Sequence, residues 1–209
     1  NQPLTKYDPK TGYRFPDAST PTKLDQTNTD SLFVCLAFSG GGTRAAAFAY
    51  GVLEKLRNTT ISWEGKRSSL LDEVDCISGI SGGSFTAAYF GLFGDRIFED
   101  FRERFLDRDI QSELFVSALN PLNWPRLASP KFNRIDLATE LYDETLFDRK
   151  IYADLETQGK RPFIILNATD LASGERREHD TVALDVSELA VQSMSGEQAK
   201  ILGHPKRRE

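Results

Sequence analysis

The apolar run LFVCLAF, residues 32–38, passes through Ser39 into three consecutive glycines, Gly40, Gly41 and Gly42, and a helical pattern starts directly behind them. Seven apolar residues without alternation describe a strand covered on both faces. Ala45, Phe48, Ala49, Val52, Leu53 and Leu56 then recur at helical spacing, which lays one stripe of a helix on a sheet. Glycine weakens the interior of either element, so a triplet at their junction means that the backbone comes close to something. The plan repeats: EVDCIS (73–78) runs into GISGGS and then the helix-compatible FTAAYFGLF. A third strand, PFIILNA (162–168), runs into TDLASGE. Strands separated by helical segments need crossover connections, so the expected fold is α/β with a mainly parallel central sheet covered by helices.

Between the second and third strands the pattern is mostly helical. Ile97, Phe98, Phe101, Phe105 and Leu106 form one amphipathic face, and residues 133–147 form another. The stretch between them, ELFVSALNPLNWPRLASPKF, is apolar but broken by Pro121, Pro125 and Pro130. It reads either as a loop packed on the body or as a partly exposed flap that admits acyl chains or meets a lipid surface. Residues 1–30 are polar and rich in Pro, Thr and Asp, as in an extended surface arm, and 31–209 form one domain. A net charge of -5 speaks against nucleic acid as partner, because that function shows as a basic stripe. Cys35 and Cys76, each inside an apolar run, read as two buried thiols. No run of about 18 apolar residues crosses a membrane. No carboxylate or histidine cluster has ligand spacing, so neither a metal nor a cofactor is expected.

The chemistry centres on Gly79-Ile80-Ser81-Gly82-Gly83, a G-x-S-x-G pattern. Five residues match by chance easily, but this set follows a strand and opens a helix. That is the setting of a nucleophile elbow, a strained turn that exposes a serine oxygen. The plain alternative is a structural serine in a tight turn. An acyl-transfer reaction also needs two or three backbone N–H donors for the oxyanion. The turn Gly40, Gly41, Gly42, Thr43 can supply them, with the N–H of Gly82 as a further donor. Nucleotide readings do worse. A P-loop wants Lys-Ser/Thr after its second glycine. A dinucleotide turn wants glycine where Ala45 stands and an acidic residue ending a second strand; Glu64 is near that distance, but NTTISWEGKR is a poor strand.

SGGGTRAAAFAYGVLEKL, VDCISGISGGS and FIILNATDLASG together resemble the patatin-like phospholipase family in spacing and order. That family sets a glycine-rich turn with a following Lys or Arg ahead of a G-x-S-x-G elbow; here Gly42 and Ser81 lie 39 residues apart. The likeness spans residues 5–178. It implies a three-layer α/β/α fold, a serine nucleophile, and hydrolysis of lipid acyl esters by a Ser-Asp dyad: phospholipase A, lysophospholipase or esterase activity. PLTKYDPKTGYRFP resembles bacterial members that follow a lipoprotein or secretory signal, so the expected location is the cell envelope or outside the cell. The implied partners are a lipid or acyl-ester substrate and a peripheral membrane contact; the oligomeric state is open.

One departure matters. The family's catalytic Asp stands in an Asp-Gly motif, and no Asp-Gly occurs in these 209 residues. After Glu178 the sequence no longer resembles the family. Either the chain is truncated, another residue is the base, or the protein is an impaired lipid-binding or interaction module. Asp170, just after the third strand, is the candidate base; its alternative is an Asx-type turn cap. Ser81, Asp170 and His204 also stand in the chain order of an α/β-hydrolase triad. The other histidine is His179.

Overall fold

The computed structural model describes residues 28–29, 31–129, 132, 134–158, 162–169 and 176–178. The three expected strands are present as β1 (Val34–Phe38), β4 (Val74–Ile80) and β5 (Phe163–Thr169), with β2 (Thr60–Trp63), β3 (Lys66–Ser69) and β6 (Arg176–Glu178) besides. The central sheet has the order β1-β4-β5-β6. β1, β4 and β5 run parallel, and β6 pairs antiparallel with β5. Parallel neighbours end at the same edge of a sheet, so the exits of β1, β4 and β5 lie side by side: Phe38 pairs with Gly79, and Ile80 with Asn167.

Helix α1 (Gly42–Arg57) follows β1 and α2 (Gly82–Phe93) follows β4, each starting on its glycine-rich turn. α2 is the centre of the molecule. From Gly82 to Phe90 every residue is buried, which is what a helix apolar on all sides requires. One side meets the sheet, where Gly91 leaves room for the Ile164 side chain. Another meets α1, where the Thr86 hydroxyl donates to the Ala46 carbonyl at 3.0 Å. The outer side meets α3 (Ile97–Phe101), which continues as a π-helical turn (Arg102–Leu106), and α6 (Arg134–Thr145). There Phe85 lies 4.9 Å, centroid to centroid, from both Phe105 and Tyr142. Burying a ring of that size stabilises by roughly 2–3 kcal/mol. Tyr89 donates to Asp100 at 2.5 Å, and burial pushes its phenol up to about 12.

The structure departs from the sequence-based expectation in several regions. β1 is not covered on both faces: Val34 to Ala37 alternate between half-buried and exposed. Phe48, expected in the packed stripe of α1, is 75% exposed, and Ala46, Ala49 and Leu53 are the buried residues. The broken apolar stretch is not a loop packed on the body but mostly helical, with several apolar side chains exposed. It forms α4 (Ile110–Leu119), a 3-10 turn (Pro121–Asn123) and α5 (Trp124–Leu127), because Asp109 caps α4 at the Ser112 N–H and Asn120 caps the next turn at the Leu122 N–H. A final helix, α7 (Ala153–Gln158), precedes β5. The poor strand at 60–69 does pair: Glu64 and Gly65, at φ 49° and 78°, make the two-residue turn that twists with a β2–β3 hairpin. Cys35 and Cys76 are not separate buried thiols. The parallel register of β1 and β4 sets them opposite each other with Cα atoms 4.6 Å apart, and they form a disulfide. Finally, Asn28 and Thr29, the described end of the expected surface arm, are buried.

That burial has a cause at the N-terminal end of β4. Glu73 is fully buried and accepts hydrogen bonds from the Thr29 N–H, the Thr29 hydroxyl and the Ser68 hydroxyl, each at 2.8 Å. Asp75 accepts from the Val34 N–H at 2.7 Å and from the Asn28 amide at 3.5 Å. Burial raises the Glu73 carboxyl, but the hydrogen bonds from Thr29 and Ser68, with the charge of Lys66, outweigh it. The net position is below the usual glutamate range.

Candidate functional site

The site stands at the opposite end of β4. Ser81 occupies the N-cap of α2 with φ 49° and ψ -122°, a conformation that costs a non-glycine residue about 1–3 kcal/mol. A serine at an N-cap ordinarily spends its oxygen on the first N–H groups of the helix. Ser81 makes no such side-chain capping bond. Its own carbonyl takes the Ser84 N–H at 2.8 Å, a main-chain bond that closes the turn.

The glycines around Ser81 are there for space. A Cβ on Gly82 would lie 2.1 Å from the carbonyl oxygen of Gly42, which is impossible without moving backbone. The turn at Gly82 and the glycine triplet are therefore in close main-chain contact. Gly40 lies against Ser81 itself: a Cβ there would be 3.2 Å from the Ser81 Cβ. Gly41, at φ 138°, is the N-cap of α1, and Gly42, at φ 66°, is its first residue. Thr43 is exposed in the first turn of the same helix. Two helices thus start within a few ångströms of the Ser81 side chain, one of them from Ser81. The unpaired N–H groups of a helix start attract negative charge, and neither first turn carries an acidic residue to compete for it. What the arrangement can do chemically is bind an anion beside a serine.

On the other flank stands Asn167, near the end of β5 and paired with Ile80. Its side-chain amide donates to the Ser78 hydroxyl at 2.9 Å and to the Gly79 carbonyl at 3.2 Å. Sequence reasoning passed over it, although an amide inside the apolar PFIILNA was a visible anomaly. β5 ends at Thr169; Asp170, His179 and His204 lie outside the described residues. Among the described residues no group of His, Cys, Asp and Glu is arranged to hold a metal ion.

In the α4–α5 region five large apolar side chains are exposed: Phe115, Val116, Leu119, Leu122 and Trp124, at 57–81%. No helix among the described residues is long and apolar enough to cross a membrane.

Residues 36–195 match the patatin-like phospholipase family. Among solved structures, human GIVD cytosolic phospholipase A2, in complex with a methyl gamma-linolenyl fluorophosphonate inhibitor and terbium chloride, superposes with a TM-score of 0.48 at 19% identity, covering 78% of this chain and 29% of that one. The chain therefore spans less than a third of that protein's length. No curated protein matches.

Proposed function

We propose that the protein is a serine hydrolase of lipid acyl esters, because the chain belongs to the patatin-like phospholipase family and holds Ser81 in a strained turn against a glycine triplet. The contact of Gly40 with Ser81 is the observation that carries this reading. In the proposed reaction the Ser81 oxygen attacks the ester carbonyl carbon while its proton passes to a base. The carbonyl oxygen becomes an oxyanion facing the main-chain N–H groups of the turn from Gly40 to Thr43 and of Gly82. Collapse expels the alcohol, which takes the proton, and water then cleaves the acyl-serine by the same steps. We assign the base to Asp170, which follows directly on β5, the strand beside the nucleophile's own.

We also propose contact with a membrane surface through the α4–α5 region. Residues 114–125 contain no charged side chain. The turn there satisfies its own main chain, with Asn123 donating to the Ser117 carbonyl and Asn120 accepting from Leu122, as apolar surroundings demand. Phospholipids, lysophospholipids and other acyl esters all fit so coarse a description of the substrate. The Cys35–Cys76 disulfide supports a location in the bacterial envelope or outside the cell, since such bonds persist in oxidising compartments.

The test is covalent labelling by an alkyl fluorophosphonate at neutral pH, with hydrolysis of p-nitrophenyl esters of several chain lengths alongside. Wild-type protein is expected to gain the adduct mass on Ser81, and Ser81→Ala to lose both labelling and turnover. Asp170→Asn should lower turnover by about a hundredfold or more, the usual contribution of a general base, while His179→Ala and His204→Ala leave it unchanged. Loss with either histidine variant would replace the dyad by a triad. A second reading is an impaired lipid-binding or interaction module. Binding of the folded wild-type chain to phospholipid vesicles without labelling or turnover would favour it, and activity gained on extending the chain would overturn it.

A further inference from the structure

Asn167 is an awkward choice for its position. It is 7% exposed and follows Phe163, Ile164, Ile165 and Leu166 in the strand. Asparagine is depleted in strands, and a buried amide without partners is strongly destabilising. Its amide nitrogen is aimed at the neighbouring strand, at the last stretch before the elbow: Ser78 Oγ at 2.9 Å and Gly79 O at 3.2 Å. Those two residues stand three and two positions ahead of Ser81. A main-chain conformation as unfavourable as that of Ser81 persists only where the surroundings over-determine it. From the helix side that constraint is steric, since a Cβ on Gly79 would lie 2.7 Å from the Ser84 Cα. From the β5 side it is this amide.

We propose that Asn167 is a positioning residue: its amide pins the exit of β4 to β5, holding Ser81 in its reactive conformation and in fixed register with the strand that leads to Asp170. The inference rests on the reading of Ser81 as nucleophile, and it adds a residue that touches neither the ester nor the reacting oxygen. Two acceptors on consecutive residues fix both the height and the twist of the strand end, which one hydrogen bond would leave free to swing. The ladder between β4 and β5 runs on past this point by only one pair, Ile80 with Asn167. The side chain therefore acts where main-chain pairing stops.

The experiment compares the 209-residue chain with Asn167→Asp, Asn167→Leu and Ser78→Ala. Asn167→Asp keeps the shape and removes both donors; Ser78→Ala removes one acceptor and keeps the bond to Gly79. Two readouts are taken. Amide hydrogen exchange at residues 80–82 is expected to quicken by about tenfold or more in both Asn167 variants, with Cys76 and Ile77 unchanged. The maximal rate of fluorophosphonate labelling should fall by about tenfold, with the half-saturating concentration within about twofold, because a misplaced nucleophile loses rate rather than binding. Ser78→Ala should show a smaller change of the same pattern, and it stands in if either Asn167 variant does not fold. Exchange that rises evenly along β4, or labelling that falls only with the folded fraction, overturns the proposal. Wild-type labelling at another serine, or at none, sinks the nucleophile assignment instead, and the exchange data still decide whether Asn167 pins the strand.

Discussion

The two ends of β4 hold their polar residues under different constraints. At the entry, Glu73 and Asp75 are taken out of water and given donors: three to Glu73 from Thr29 and Ser68, two to Asp75 from Val34 and Asn28. At the exit, Ser81 is held in an unfavourable main-chain conformation, makes no capping bond to its own helix, and lies against main chain that has no side chains to shield it. A carboxylate with its hydrogen bonds filled is a fastening. A strained residue beside two helix starts is the arrangement that chemistry needs. The difference sets a structural end against the end where we propose reactivity, on either side of one strand of seven residues.

If this contrast is right, substitutions at the entry and along the strand should act on stability, and those at the exit on reactivity. The largest effect is expected from the Cys35–Cys76 bond, which joins β1 to β4 between the two ends. Its partners are 41 residues apart, so replacing both by alanine should lower unfolding free energy by about 4 kcal/mol in a chain-entropy account. Denaturant titration measures it. Labelling of the folded fraction should stay within about twofold; a loss of labelling at unchanged stability would mean that the bond acts on the elbow.

A smaller loss, roughly 2–3 kcal/mol, is expected for Glu73→Gln, which turns an amide donor toward groups that are already donors. The pH dependence sharpens the point. Because the folded-state pKa of Glu73 is depressed, its contribution is complete above the ordinary glutamate range. It is lost as pH falls from there through the lower folded value. Melting temperature against pH should therefore drop in that acid window for wild type and be flatter for Glu73→Gln. Equal slopes would remove Glu73 from the entry fastening.

The smallest change belongs to the exit. Gly40→Ala adds a methyl 3.2 Å from the Ser81 Cβ, so one of the two must give by a few tenths of an ångström. Fluorophosphonate labelling should slow by about tenfold, equivalent to about 1.4 kcal/mol, with little shift in melting. Unchanged labelling would show that Gly40 serves packing alone.

The exit was legible in the sequence because glycine spacing encodes close main-chain approach: three glycines after one strand and a flanked serine after the next leave few alternatives. The parallel sheet was legible because strands alternate with helical segments. The described residues of PFIILNA are mostly buried, as its lack of alternation suggests. LFVCLAF was misread, since β1 alternates half-buried and exposed residues. The entry was not legible. Glu73 and Asp75 stand inside the expected strand EVDCIS, but the donors for Glu73 come partly from Thr29, 44 residues away. The disulfide was missed because pairing Cys35 with Cys76 depends on strand register, which no local pattern displays. The capped turns at Asp109 and Asn120 were hidden by the prolines around them, which punctuate a short helix as readily as they end one. Asn167 could have been suspected from its neighbours, but not its direction.

The burial of α2 on every side has a consequence for how such a chain can diversify. The helix that carries Ser81 touches the sheet, α1 and the aromatic layer of α3 and α6 at once. An altered side chain there must be matched by changes in several partners together. The helix is a fixed datum, and a lineage or an engineer seeking new substrates has freer choice in the exposed residues of α4 and α5. Libraries confined to residues 114–125 should return many folded members with altered chain-length preference, whereas libraries across α2 should return few that fold.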